Sequence, residues 1–270
     1  MAKSDGGDAH TGASSVGAPH LVFVHGFLDD PSIWDATVSH LGFGPDTVTR
    51  VDLVGPDADS GRASIVERLA AEVVDVIEKR DGPVVLVGQS MGAQVAELAA
   101  AATADRTVAL VLVTPVPLSG MHLPDPVAAS FKSLANDYEA QCKARTDLSV
   151  ALTSEAVKNL AERGITIPDD IVAALVDAWN LGSAQGNDAT RFPGPVLIVR
   201  GAGDPFITQD VVAASDHRFP RAQLVTLEGS GHWPHIEQPR AFAAAVFQFL
   251  TEHVSSPLVA EASPVTTPRS

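Results

Sequence analysis

The sequence predicts an α/β class fold: a doubly wound, mostly parallel sheet with helices on both faces and a helical insertion in its middle. Three observations carry this. Short apolar runs that read as strands recur at 21–24, 83–87, 110–113, 196–199 and 224–227, with a further strand at 48–53. Segments with apolar residues at helical spacing alternate with them. Between Pro115 and Pro195 the strand signal stops and only helical patterns follow.

In order along the chain, Asp30-Pro31 offers an N-cap followed by proline at the first helical position, and Trp34, Val38 and Leu41 then share one face. Ser64-Ile65-Val66-Glu67 has the form of a capping box, and Val66, Leu69, Ala70, Val73 and Ile77 make one stripe behind it. Residues 93–102 are alanine-rich and read as a helix. The insertion reads as helices over 126–144, 153–163 and 168–181. Pro239 opens the last helix, with Phe242, Val246, Phe249 and Leu250 facing inward. Alternation of this kind implies parallel strands joined by crossovers. The expected division is a core of 20–115 and 195–254, a helical lid of 116–194, and disordered tails over 1–19 and 255–270, both rich in small and polar residues.

Composition narrows the function. A chain of 270 residues, 45% hydrophobic, can bury one large core. Its 18 basic against 33 acidic residues, net −15, argue against nucleic-acid or anionic-membrane partners. No apolar run has the length of a bilayer span, and no secretory signal follows Met1. Cys142 stands alone, so no intrachain disulfide forms and a reducing cytoplasm is the expected location. No dinucleotide fingerprint or phosphate loop occurs, and no cofactor is implied. His232 and His235 are three apart but lack the Cys or acidic cluster a zinc site needs.

The most informative stretch is Gly88-Gln89-Ser90-Met91-Gly92, between a strand and a helix. A serine pinched between glycines at such a junction is lifted clear of the sheet edge, because only small neighbours fit the sharp turn. The same letters would also suit a turn whose serine caps the helix. As a nucleophile Ser90 needs a base. His232 follows the last strand and precedes the C-terminal helix, at the strand end where open α/β sheets place their chemistry. His235 competes but follows Pro234 and suits packing at the helix entrance. His25 suits shaping the turn after the first strand. Asp204 lies on the loop after 196–199 and would hold the imidazole, although an Asp-Pro turn explains it as well. The end of 110–113 offers no carboxylate before Asp125. Backbone N–H groups of Phe27 and Met91 are the candidate oxyanion donors.

These segments resemble the α/β-hydrolase superfamily over residues 20–252. His25-Gly26-Phe27 resembles its oxyanion segment, 88–92 its elbow, Gly203-Asp204 its acid turn and 231–239 its histidine segment. Two departures stand out. A small-residue turn usual after the second strand is replaced by Val54-Gly55-Pro56-Asp57-Ala58-Asp59-Ser60, and no hairpin precedes Leu21, as in the short-sheet esterases related to hydroxynitrile lyases. Those lyases carry Thr after the oxyanion His and Lys after the catalytic His; here Gly26 and Trp233 stand there.

The resemblance implies a serine hydrolase that cleaves a carboxylic ester or lactone of a small to medium apolar substrate through an acyl-enzyme. A cofactor-free haloperoxidase or perhydrolase, a carbon–carbon bond hydrolase, and a non-catalytic small-ligand receptor are the alternatives. Leu118, Met121, Leu123, Phe131, Leu134 and Trp179 of the lid, with Trp233, are candidates to line the pocket, and His122 to stand on its wall as a polar residue; each apolar lid residue could equally glue the lid to the core.

Overall fold

Six strands form a parallel sheet in the order β2-β1-β3-β4-β5-β6. They are β1 (His20–Val24), β2 (Val48–Val51), β3 (Val84–Gln89), β4 (Thr107–Val113), β5 (Val196–Gly201) and β6 (Gln223–Leu227). The computed structural model describes residues 18–53, 65–215 and 217–254. The expected tails fall almost wholly outside these residues. So do Ser64 of the capping box and the 54–60 segment.

Apolar runs become strands here because helices cover both faces and every strand position can be buried. All residues of β1, β3 and β5 are buried, whereas the edge strand β6 alternates. One face carries α2 (Ile65–Glu78) and α3 (Met91–Ala102), the former through the predicted stripe Val66, Leu69, Ala70, Val73 and Ile77. The other carries α1 (Asp35–Leu41) and α10 (Pro239–His253), with Trp34, Leu41, Phe242, Val246, Phe249 and Leu250. Asp30 caps as predicted, accepting the N–H of Ser32, but the first turn is a 3-10 turn over Pro31–Trp34. The second strand stops at Val51, short of the expected 53.

The insertion between β4 and β5 holds α4 (Asp125–Lys132), α5 (Tyr138–Leu148), α6 (Ser154–Gly164) and α7 (Asp169–Leu181). The single helix expected over 126–144 is therefore two. Asn136 takes a left-handed φ of 54°, and the Asp137 carboxylate accepts the N–H of Ala140 to start a new helix. After β5 come α8 (Gln209–Ala214) and, after β6, the single turn α9 (Pro234–Glu237). That turn was expected as loop. The chain leaves β1 to one side for β2 and to the other for β3, so the topological switch lies beside β1, where such sheets bind ligands.

His235 sits in α9 with no exposed surface, stacked on Trp34 at 4.4 Å between ring centroids and edge-on to Phe242 at 6.0 Å. Among the described residues neither ring nitrogen has a hydrogen-bond partner. Burial, and then the nearby His232, push its pKa from 6.5 to about 3. A folded-state pKa below the unfolded one contributes stability in full above pH 6.5, and that contribution is lost as pH falls towards 3. Replacing His235 with Phe is expected to remove this dependence. The stability difference between variant and wild type should shift by about 1.4 kcal/mol per pH unit below 6.5, in the variant's favour. Denaturant melts at several pH values measure it, and parallel curves would contradict it.

Candidate active site

The elbow is built by steric exclusion. A Cβ on Gly88 would come within 2.3 Å of the Gly92 carbonyl oxygen, and one on Gly92 within 2.3 Å of the His25 carbonyl oxygen. Only glycine lets α3 start this close to β1 and β3. Ser90 between them has φ 54° and ψ −119°, outside the regions a side-chain-bearing residue favours, at a cost of roughly 1–3 kcal/mol. Its N–H donates to the Val113 carbonyl at 2.9 Å, which fixes the turn against the end of β4.

The structure brings Ser90, His232 and Asp204 together in one hydrogen-bonded line. His232 Nδ1 lies 2.8 Å from Asp204 Oδ2, and His232 Nε2 lies 3.0 Å from Ser90 Oγ. An ionised carboxylate only accepts, so Nδ1 carries the proton and Nε2 is free to accept from the hydroxyl. Such a line can draw a proton from the serine. The other Asp204 oxygen accepts the N–H groups of Phe206 and Ile207 at 2.8 and 3.0 Å. Burial alone would raise the Asp204 pKa. The attraction of His232 when its ring is protonated, the hydrogen bond from that ring and the two backbone donors outweigh it, leaving the group below its ordinary value. Position 114, at the end of β4, is the other place an acid could occupy. It holds Thr114, whose hydroxyl donates to the His232 carbonyl at 3.0 Å. Asp125 is exposed at the start of α4.

His25 shapes the first turn. Its Nδ1 donates to the Gly26 carbonyl at 2.9 Å, and its Nε2 accepts the N–H of Leu53 at 3.0 Å. Phe27 follows on that turn. Among the described residues no hydrogen bond engages the N–H of Phe27 or of Met91.

A cavity of ≈ 40 Å³ opens beside Ser90 and His232. Of the predicted lining residues, Phe131, Leu134, Trp179 and Trp233 are on its wall, together with Phe27. Phe206 joins them, and rings of Phe27, Phe131, Trp179, Phe206 and His232 run in contact at 5.2–6.0 Å between centroids. Leu118, Met121, His122 and Leu123 are not on the wall. Leu118 is buried in the core beneath the insertion, Met121 and Leu123 pack against that core, and His122 is exposed. Among the described residues no group of three or more His, Cys, Asp or Glu is placed to hold a metal ion. No helix there is long and apolar enough to cross a membrane.

Sequence reasoning missed a charged corner of the cavity. Asp29 and Arg145 both reach it and are almost fully buried, with an Arg145 nitrogen 3.5 Å from Asp29 Oδ1. Arg145 also donates to the Leu28 carbonyl at 2.8 Å, and the Trp233 indole N–H donates to Asp29 at 3.0 Å. Burial lowers the Arg145 pKa and the Asp29 charge works to restore it.

A family model described as alpha/beta hydrolase family matches residues 21–245. The pimeloyl-[acyl-carrier protein] methyl ester esterase of Klebsiella pneumoniae subsp. pneumoniae is 24% identical over 243 residues, 86% of this chain and 93% of its own. The sn-1-specific diacylglycerol lipase of Mus musculus is 29% identical over 182 residues, 62% of this chain and 59% of its own. Among solved structures, a thermophilic esterase from Thermogutta terrifontis superposes with a TM-score of 0.69 at 21% identity, over 89% of this chain and 92% of its own. A bromoperoxidase from Bacillus anthracis does so with a TM-score of 0.73 at 18% identity, over 87% and 93%. At such identities the structural likeness speaks for the fold alone. The chain belongs to the alpha/beta hydrolase family.

Proposed function

We propose that this protein is a serine-dependent carboxylic ester hydrolase, acting on an ester or lactone through an acyl-enzyme. The observation that carries the reading is the hydrogen-bonded line Ser90–His232–Asp204 beside a cavity with a largely apolar and aromatic wall. The names of the esterase and lipase relatives support the same reaction class.

In this reading His232 Nε2 takes the Ser90 proton as Oγ attacks the carbonyl carbon, and Asp204 stabilises the imidazolium without itself becoming protonated. The N–H groups of Phe27 and Met91, the latter at the positive end of α3, receive the oxyanion. The imidazolium then protonates the departing alcohol. Water repeats the sequence, the acid is released and Ser90 is restored. Helices α4–α7 serve as a lid, closing the cavity from above through Phe131, Leu134 and Trp179. By this measure a single water needs roughly 10–15 Å³, so a cavity of ≈ 40 Å³ suits a short acyl group.

Lyase chemistry on a related scaffold is disfavoured by Trp233. The position after His232 carries a neutral, 2% exposed ring, and the guanidinium on the cavity wall, Arg145, faces Asp29 and so brings no net positive charge for a departing cyanide. A Cβ on Gly26 would meet Gln89 Oε1 at 2.1 Å, so the oxyanion turn has no room for a threonine hydroxyl without rearrangement. Expected results are hydrolysis of p-nitrophenyl acetate or butyrate and no cyanide release from mandelonitrile above the uncatalysed rate. Cyanide release that vanishes in Ser90→Ala would move the protein into the lyase class.

A further inference from the structure

The loop that carries His232 has three consecutive buried N–H groups, those of Gly231, His232 and Trp233. None of them is held by the sheet. Gly231 and Trp233 donate to the Glu237 carboxylate, at 3.0 Å and 3.1 Å. His232 donates to the carbonyl of Leu148, the last residue of α5, at 2.9 Å. The same Glu237 carboxylate reaches across to the insertion, where its Oε2 accepts the N–H groups of Val150 and Ala151, each at 2.7 Å. Glu237 is 9% exposed, and among the described residues no cation pairs with it. Its charge is therefore held by backbone donors from two segments. One is the base loop and the other the end of α5.

Backbone approach at this junction is close. A Cβ on Gly231 would lie 2.4 Å from the Leu148 carbonyl oxygen, so the loop and the end of α5 are in direct contact. Arg145, one turn earlier on α5, lies over the Trp233 ring at 5.7 Å, and Trp233 stands edge-on to His232 at 5.1 Å. The segment 145–151 thus meets the residues on both sides of His232.

We propose that Glu237 is a positioning residue for His232, fixing the imidazole by binding the base loop and the 150–151 segment of the insertion into one unit. This rests on the assignment of His232 as general base. Glu237 touches no reacting atom and acts only through the backbone. Its loss frees two N–H groups beside His232 and two on the insertion, and the imidazole can then swing from its 3.0 Å contact with Ser90. Misplacing a catalytic group by about 1 Å costs on the order of 10²-fold in rate.

The test compares Glu237→Gln and Glu237→Asp with wild type, using kcat and KM for a short aryl ester, the rate of inactivation by a fluorophosphonate, and the melting temperature. Gln keeps the volume but turns an NH₂ towards backbone donors; Asp keeps the charge with a shorter reach. Glu237→Gln is expected to fold, to lose kcat and phosphonate reactivity together by about 10²-fold, and to keep KM within about 3-fold. Glu237→Asp should recover about a tenth of the wild-type rate or more. A folded Glu237→Gln with wild-type kcat, or one whose loss lies wholly in KM, would overturn the proposal. So would failure of both variants to fold, since the carboxylate would then serve the fold and not the base. The assignment of His232 itself is checked separately, by inactivity of His232→Ala. An inert His232→Ala beside a fully active Glu237→Gln sinks only the positioning role.

Discussion

Ser90→Ala is expected to reduce ester hydrolysis to the background rate and to leave the melting temperature within a few degrees of wild type. Among the described residues the hydroxyl makes one hydrogen bond, to His232 Nε2, and removing it leaves an imidazole nitrogen that can take a water in its place. Little packing is lost, and a small side chain at φ 54° relieves none of the backbone strain. The chemistry loses its nucleophile outright. In serine enzymes, removing a member of the triad leaves only the residual catalysis of the oxyanion hole and substrate binding. Steady-state rates with p-nitrophenyl butyrate and a thermal melt on the same preparation check both halves. A folded variant that keeps most of its turnover would remove Ser90 from the mechanism.

Asp204→Asn is expected to lower kcat on the order of 10⁴-fold, the loss seen when the same exchange is made in a serine protease. The reason is visible in the two faces of the carboxylate. Its Oδ1 accepts from Phe206 and Ile207, so the amide of an Asn would turn its oxygen to them and its NH₂ to His232 Nδ1. Nδ1 must then accept, the ring proton moves to Nε2, and Nε2 can no longer receive the Ser90 proton. Asp125→Asn, on the exposed start of α4, should change kcat by less than about 2-fold, in keeping with a surface substitution away from the site. A reversed order of the two losses would transfer the acid role away from Asp204.

What the sequence disclosed follows from where the constraints are local. Gly88 is required by a contact of 2.3 Å within one strand–turn–helix unit and Gly92 by one of 2.3 Å with the end of the adjacent β1, and both fall inside five adjacent letters. Asp204 and His232 are far apart in sequence, yet each sits just past an apolar strand, and a parallel sheet gathers strand ends at one edge. The buried stripe of α2 was legible for the same reason, since its spacing is set by the helix itself. The Asp29–Arg145 corner was not. α5 reads YEAQCKARTDL, polar nearly all round, and nothing nearby marks Arg145 as the one cation that goes inside. Its partner is 116 residues away. The pocket wall failed in part for a related reason. Leu118 and Met121 are as apolar as Leu134 and Phe131, but they lie on the irregular stretch before α4, and no local pattern says which part of the insertion faces the cavity. For the division of 126–144 into two helices, Asn136-Asp137 was the available signal, a residue tolerant of left-handed backbone followed by an N-cap. Glu237 lies within the histidine segment 231–239, but its four backbone donors come from two segments that only the fold brings together.

The central claim is that Ser90 is a nucleophile activated by His232, and covalent capture tests it most directly. The purified protein is treated with a fluorophosphonate and digested, and the adduct is located by mass spectrometry while residual esterase activity is followed. The account predicts one adduct per chain, on the peptide containing Ser90, rising in step with the loss of activity and absent from Ser90→Ala. Complete inactivation with the adduct on another residue, or an active enzyme that stays unlabelled, would contradict it.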